Sequence, residues 1–282
     1  MASLESAYFG KTATFPTLHG KESVIAPIFL SALGLNVQVS GVNTDQFGTF
    51  SGETPRTLPQ LETAVAKARA AIALTGIPLA LASEGTIGPN PLIPIASSDL
   101  ETLVFVDSEK KLIIHESFRS SAIVTVRVGA NPSDNLEAFL IKSDFPNHAL
   151  IVRTEPPASF HAVKGIQDIE TLRGAITELA KESGTVVIES DLRASYSPSR
   201  MQNIAQCARL LAARIASTCP DCHTPGWGSV NPIFGLPCAD CGEFVETAVA
   251  ADQLGCSKCE YKQTVPKLSG FAEARFCSAC NP

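Results

Sequence analysis

Positive charge is in short supply in this chain: 22 lysines and arginines face 28 aspartates and glutamates, a formal net charge of −6. That balance excludes a protein whose main task is to coat nucleic acid or an acidic membrane surface, though it leaves room for a local basic groove. Long apolar runs are missing too. The longest, Ala70 to Ala82, is broken by Thr75, Gly76 and Pro78 and is too short to span a bilayer. Met1 to Lys11 has neither the basic stretch nor the apolar core that a secretory leader needs. There is no internal repeat and no low-complexity tract. Cysteine is nearly absent from residues 1–217, which hold one of the nine. The other eight form four tight Cys-x-x-Cys pairs. That is the spacing of metal sites in a reducing compartment, so the cytoplasm is the expected location, without a membrane partner.

The hydrophobic share, 45%, leaves enough material for a real core in one large or two modest domains. Composition divides the chain into residues 1–217 and 218–282. In the first part, apolar spacing predicts a helix through Leu61, Val65, Ala68 and Ile72, and another through Ile169, Leu172, Ile176 and Leu179. A third runs through Met201, Ile204, Cys207, Leu211 and Ile215, with Cys207 on its apolar face as a core residue. Shorter helices are expected after Gly20 and from Ser133 to Lys142. Runs rich in valine and isoleucine predict strands at 35–39, 79–83, 103–107, 112–116, 123–128, 150–153 and 186–189. Three of these crowd between Leu103 and Val128, as in an antiparallel meander. The rest alternate with helices, as in parallel crossovers. The expected fold is α/β: a mixed sheet with flanking helices, followed by a small C-terminal double zinc-ribbon domain.

The four knuckles are Cys219/Cys222, Cys238/Cys241, Cys256/Cys259 and Cys277/Cys280. Two intervening residues let a tight turn aim both thiolates at one ion, and two knuckles complete a closed site of four thiolates. Eight cysteines therefore imply two structural zinc ions, whose binding supplies folding energy to a region with little core of its own. The spacing of Cys238/Cys241 and Cys256/Cys259 suggests one ribbon, leaving Cys219/Cys222 and Cys277/Cys280 to share the second ion in a nested arrangement. Sequential and interleaved pairings also fit. His223 is an alternative ligand beside Cys222. Between Cys219 and Pro282, four basic residues face seven acidic ones, so nucleic acid is a poor partner for the ribbon and a docking role suits it better. Trp227 is either a stacking platform or a residue packed over a knuckle.

The first part carries several polar clusters. Lys21, in His19-Gly20-Lys21-Glu22, stands where a turn opens a helix, a potential anion site. The segment from Thr44 to Arg56 is dense in glycine, threonine and carboxylates. Glu62, Lys67 and Arg69 lie on the alanine-rich helix, and Glu84-Gly85 follows an apolar strand, where open α/β sheets place ligands. Asp45, Glu53, Glu62 and Glu84 are thus candidates to hold Mg²⁺ against a phosphate chain, with Lys21, Lys67 or Arg69 neutralising it. Asp191 and Arg193 read as an ion pair orienting the junction with the last helix.

Across its whole length the sequence resembles an uncharacterised family of bacterial proteins. The motifs carrying this are Tyr8-Phe9-Gly10, His19-Gly20-Lys21-Glu22, the Thr44–Arg56 segment, Ser83-Glu84-Gly85, Asp191-x-Arg193-Ala194, Pro198-x-x-Met201 and the zinc knuckles, ending in Cys277-x-x-Cys280-Asn281-Pro282. That resemblance implies no activity. From residue 10 to about 130 the order of motifs is similar to the house-cleaning pyrophosphatases that hydrolyse inosine and xanthosine triphosphates. The matches are Lys21 before the first helix, Glu53, Glu62-x-Ala64-x-x-Lys67-Ala68, Glu84-Gly85 after a strand, and a strand meander. Thr17-Leu18-His19 replaces the usual asparagine, and Ser-Glu-Gly replaces Asp-Ser-Gly. This second resemblance implies Mg²⁺-dependent hydrolysis of a nucleotide or other phosphate ester, with Lys21, Glu53, Lys67 and Glu84 catalytic; from the polar clusters themselves, Asp45, Glu62 and Arg69 are the candidate cofactor-binding residues. The alternative is a non-enzymatic ligand- or protein-binding module docked through its ribbon, around Trp227 and Phe234.

Overall fold

The structure, a computed structural model, describes residues 6–49, 54–91, 93–155 and 159–281. Its first sheet is built from β1 (Thr12–Pro16), β2 (Asn36–Ser40), β3 (Leu79–Pro89), β4 (Ser97–Asp107) and β5 (Leu112–Ser120), in the order β2-β1-β3-β4-β5. β1 pairs in parallel with β2 and β3, whereas β3, β4 and β5 form an antiparallel meander. Helices cover both faces: α1 (Glu22–Leu33) and α5 (Pro198–Ala216) on one, α2 (Gln60–Thr75) on the other.

The alternation of side chains along a strand explains this sandwich. Leu79, Leu81, Leu103 and Phe105 point toward Phe29 of α1 and Ile204, Cys207 and Leu211 of α5. Their neighbours Ala80, Ala82, Val104 and Val106 meet Ala64 and Ala68 of α2. Small residues on both sides let α2 approach closely. Strands buried on both faces read as continuous apolar runs, as Leu79–Ala82 and Leu103–Val106 do.

A second sheet corrects the single-sheet expectation. It contains β6 (Arg127–Ala130), β7 (Leu150–Thr154), β8 (Ala162–Ile166) and β9 (Val186–Ser190), ordered β6-β9-β7-β8, with α3 (Glu137–Lys142) and α4 (Ile169–Ser183) in its connections. The run near Ile123–Val128 does not join the meander; it becomes β6 and pairs with β9. The strands β7 and β9 are antiparallel, not parallel. The reason is β8, whose Lys164-Gly165 interrupts the apolar pattern. It reverses the chain, so the parallel crossover runs from β8 through α4 to β9, with β7 between them. After α5 comes a three-stranded antiparallel sheet of β10 (Gly228–Pro237), β11 (Phe244–Gly255) and β12 (Lys262–Pro266). No helix among the described residues is long and apolar enough to cross a membrane.

Beneath α5 lies a buried polar cluster. Glu101 of β4, fully buried, pairs with the 2% exposed Arg200 at 2.7 Å. Arg200 also donates to the Leu192 carbonyl at 2.6 Å. Two residues along β4, Asp99 accepts from the Asn203 side chain at 3.0 Å. The first turn of α5 is held by His148, whose Nε2 accepts from the Ser199 backbone N–H at 3.2 Å while Nδ1 meets Asp144 at 2.8 Å.

Burial pushes the Asp99 carboxyl up to about 7, reinforced by the Glu101 charge and only partly offset by Asn203 and Arg200. A carboxyl raised in the folded state favours folding below its unfolded pKa of about 4, and that contribution is lost as pH climbs toward 7. The melting temperature is therefore expected to fall between about pH 4 and 7, and Asp99→Asn to flatten that fall. A thermal-unfolding series of both proteins checks it; equal slopes would show that Asp99 does not titrate in this range.

Candidate metal centres and a cationic pocket

Two groups of four thiols come together: Cys219, Cys222, Cys256 and Cys259, and Cys238, Cys241, Cys277 and Cys280. Across the first, Sγ atoms of Cys219 and Cys259 are 3.7 Å apart and those of Cys222 and Cys256 3.5 Å. In the second, Cys238–Cys280 measures 3.8 Å and Cys241–Cys277 3.6 Å. A tetrahedron with zinc–sulfur bonds of about 2.3 Å has edges of about 3.8 Å, so each group can hold one such ion. The backbone N–H groups of Lys258 and Cys259 both point at the Cys256 sulfur, at 3.3 Å. With four thiolates at each centre, no position is left for substrate.

The pairing is interleaved, first knuckle with third and second with fourth, which corrects the nested expectation. The spacer between Cys241 and Cys256 is not two short strands and a turn. It is almost entirely β11, twelve residues long, spanning on the order of 40 Å if fully extended. It places Cys241 and Cys256 at opposite ends of the β10–β11 hairpin, where Gly228 faces Gly255 beside the first knuckle. His223 is not a ligand. It takes the left-handed turn position after Cys222 (φ 55°), as Gly242 does after Cys241 (φ 76°). Trp227, 9% exposed, packs beside Tyr261, two residues after Cys259, and is not a free stacking platform. The same end is tied to the first sheet by Arg214, which donates to the Gly226 and His115 carbonyls and pairs with Glu116 at 2.9 Å.

A separate pocket of about 240 Å³ opens where the chain leaves β1 and passes the far half of β3. Lys21, at the start of α1, donates to Ser83 Oγ at 3.0 Å. Lys67 reaches Glu84 at 2.5 Å, and Arg56 holds the other oxygen of the same carboxylate at 3.1 Å. Arg56 also donates to Thr86 Oγ1 at 2.8 Å. Gln60 ties the Glu84 and Leu100 carbonyls to the start of α2, at 2.9 and 2.8 Å. Asp45, His19 and Arg200 complete the lining. Gly85 is obligatory in this wall, because a Cβ there would stand 2.6 Å from Glu101 Oε1 and collide with the Arg200 guanidinium. Desolvation, then the charge of Arg200, pushes the Lys21 ammonium down to about 8, with Lys67 adding to the effect and Glu101 and Glu84 opposing it. His19 is lowered by burial and by Lys21, so it tends to neutrality.

Lys21, Asp45, Lys67 and Glu84 are thus gathered in one pocket. Glu62 and Arg69 are not; both are exposed, and Arg69 borders a groove near Val106 and Lys111 instead. At about 100° per residue they lie about 140° and 200° around α2 from Lys67, which faces the sheet. Glu53 falls outside the described residues. The expected four-carboxylate Mg²⁺ constellation is not assembled by the described residues, among which the only groups of three or more metal-capable side chains are the two cysteine sets. Arg56 and Arg200 were not anticipated as site residues. For Arg200 a signal existed: it stands four residues before Ile204 and seven before Cys207, a cation on the apolar face of α5. Asp191 and Arg193 form the expected structural pair at 2.5 Å, and Asp191 also accepts from the Gly165 N–H.

Two outcomes follow from this geometry. Glu84→Gln leaves two cations without their counter-charge, which in a buried setting costs about 3 kcal/mol, and a drop of about 6–12 °C in melting temperature is expected. An unchanged melting temperature would mean that the pair is solvated. Metal content measured on purified protein is expected at two zinc ions per chain. Chelation is expected to erase hydrogen-exchange protection in β10–β12 while the first sheet keeps its own. Protection that survives metal loss would contradict a metal-dependent fold there.

No curated protein is matched by the sequence. Residues 67–282, well over half of the chain, match the model of a family described as "Domain of unknown function (DUF6671)". The match spans Lys67, Glu84, Arg200 and both cysteine centres, and the chain belongs to the DUF6671 family.

Proposed function

We propose that the α/β part binds a phosphorylated small molecule in the cationic pocket, and that two zinc ions hold the C-terminal sheet as a structural and docking module. The observation that carries this reading is Lys21. Its ammonium is crowded by Arg200 and Lys67, and no carboxylate lies within ion-pair distance of it among the described residues. A cation held in partial desolvation beside other cations gains most from an incoming anion. Glu84 does not cancel this site, since Lys67 and Arg56 already neutralise it. A nucleotide phosphate is the ligand class that also fits the motif order between Lys21 and Gly85.

A second reading is Mg²⁺-dependent hydrolysis of that ligand. It is favoured by Asp45, a carboxylate lining the same pocket as Lys21. Glu84 is a poor first choice of metal ligand, because it would have to leave two cations. Asp45→Asn is therefore the cleaner test of turnover.

Isothermal titration with pyrophosphate and with standard and deaminated nucleoside mono- and triphosphates tests binding. Affinity is expected to decline as pH rises through about 8, where Lys21 loses its proton, and to weaken again below about 6 as a phosphate monoester takes up its second proton. Lys21→Ala should abolish binding, and Lys21→Arg, which stays charged, should remove the alkaline decline. Absence of binding by every probe would sink the proposal. Phosphate release with Mg²⁺ that disappears in Asp45→Asn would establish the hydrolytic reading.

A further inference from the structure

Behind the cationic pocket, two carboxyl groups share one face of β4. Asp99 and Glu101 stand two residues apart, so strand alternation turns both toward α5, and both are fully buried. Each has one oxygen with a donor and one without. Asp99 Oδ2 accepts from the Asn203 side chain at 3.0 Å, and Glu101 Oε1 accepts from Arg200 Nε at 2.7 Å. Asp99 Oδ1 and Glu101 Oε2 are buried with no N–H or hydroxyl donor among the described residues. The surrounding groups are engaged elsewhere. Asn203 gives its other N–H to the Ala122 carbonyl, and the Cys207 thiol, kept neutral by burial, turns to the Glu101 and Glu116 backbone carbonyls. The Glu116 carboxylate pairs with Arg214, and Arg119 donates to Ser98 on the other face of the sheet. Beside the pair, β3 presents Gly85 and Ile87 and β5 presents Phe118 and Ser120, none of them charged. The two carboxyl groups hydrogen-bond each other. That contact requires a proton between them.

We infer that Asp99 and Glu101 share one proton, held on Asp99 Oδ1 and donated to Glu101 Oε2, which controls the charge that Arg200 presents to the anion pocket. Its place on Asp99 follows from the partners. Glu101 lies against a guanidinium, which favours its ionised form, whereas Asp99 meets only a neutral amide. With the proton in place, all four carboxyl oxygens have partners, and the pair together with Arg200 is neutral. Once it leaves, two carboxylates face one guanidinium away from water, and the added negative charge offsets Arg200 at the pocket wall. The pair titrates as a unit near pH 7, below the range in which Lys21 loses its own proton. An anion beside Arg200 and Lys21 therefore favours uptake of the proton, and binds less well after its loss. This control rests on the phosphate-binding reading of the pocket; the shared proton does not. Asp99→Asn is the informative variant. Its carboxamide copies the protonated acid, with an N–H for Glu101 and a carbonyl for Asn203, and cannot ionise.

Infrared difference spectra of the full, zinc-loaded chain between about pH 6 and pH 8.5 read the proton without any ligand. Carboxyl groups with ordinary values near 4 are already ionised throughout that range. A protonated-carboxyl band that fades with a midpoint near pH 7, and is missing from Asp99→Asn, is expected. Its absence at pH 6, or its survival in Asp99→Asn, would overturn the shared proton. Pyrophosphate titration then tests the control, comparing Lys21→Arg with Lys21→Arg/Asp99→Asn so that neither Lys21 nor the probe's own ionisation enters the ratio. Between pH 6 and 8 the single variant is expected to lose about five-fold more affinity than the double, the order expected for one buried charge acting across a site. Equal losses would overturn the control and leave the shared proton standing. Absence of pyrophosphate binding at every pH would sink the pocket reading and the control with it, whatever the infrared band shows.

Discussion

The ion pair between Arg200 and Glu101 is the constraint around which the rest of the molecule is arranged. Both groups have left water entirely, and attraction between them repays that desolvation only because the geometry is tight and the Leu192 carbonyl takes up a further guanidinium N–H. A pair of this kind contributes little net stability compared with apolar residues of the same volume. What it supplies is position. It fixes the first turn of α5 over β4, requires a glycine at residue 85 of β3, and sets a positive charge at the floor of the pocket. His148 holds the same turn of α5 from the side of the second sheet. One short stretch of helix therefore aligns both sheets and the site beside them.

The far end of α5 carries this alignment into the C-terminal sheet. Cys219 follows the helix almost directly, and Arg214 anchors the first knuckle to β5. Interleaved pairing then ties the region together. The first centre joins the end of α5 to the turn between β11 and β12, and the second joins the β10–β11 turn to the C-terminal tail. The two closed loops overlap, so neither half of the sheet is complete without the other centre. The small core here, Cys238, Val245, Ala272 and Cys277, draws half its members from the ligands themselves. Apolar burial is thus slight for a sheet of this size, and the two groups of four thiols are where metal coordination would replace it.

Electrostatics in the pocket run opposite to a carboxylate-based metal site. Glu84 is not an open ligand but a counter-charge between Lys67 and Arg56. With Glu101 spent on Arg200, cations dominate the open space. Phosphate recognition suits this arrangement, because fixed positive groups in a partly desolvated wall need no reorganisation when the anion arrives. Acidic groups elsewhere on the surface keep the net charge negative, so whole-chain charge carries no trace of the local reversal.

Periodicity and cysteine spacing alone gave the five helices, the β4–β5 part of the meander and the eight metal-capable thiols, because each rests on contacts between near neighbours in sequence; the third member of the meander is β3 and not the expected run at 123–128. Lys21, Lys67 and Glu84 were legible for a similar reason: a lysine at a helix start, a lysine in an alanine-rich helix and a carboxylate after an apolar strand are local signals. β1 and β8 were not, since threonines, Pro16 and Lys164-Gly165 hide strands whose pairing comes from distant partners. The division into two sheets, the burial of Arg200 against a residue 99 positions away, the exposure of Glu62 and Arg69, and the choice of which knuckles share an ion were settled only by tertiary structure. Sequence by itself determined which residue types were available for metal and anion chemistry. Which of them meet depends on strand pairing and helix rotation over long separations, and residue spacing along a chain does not encode those.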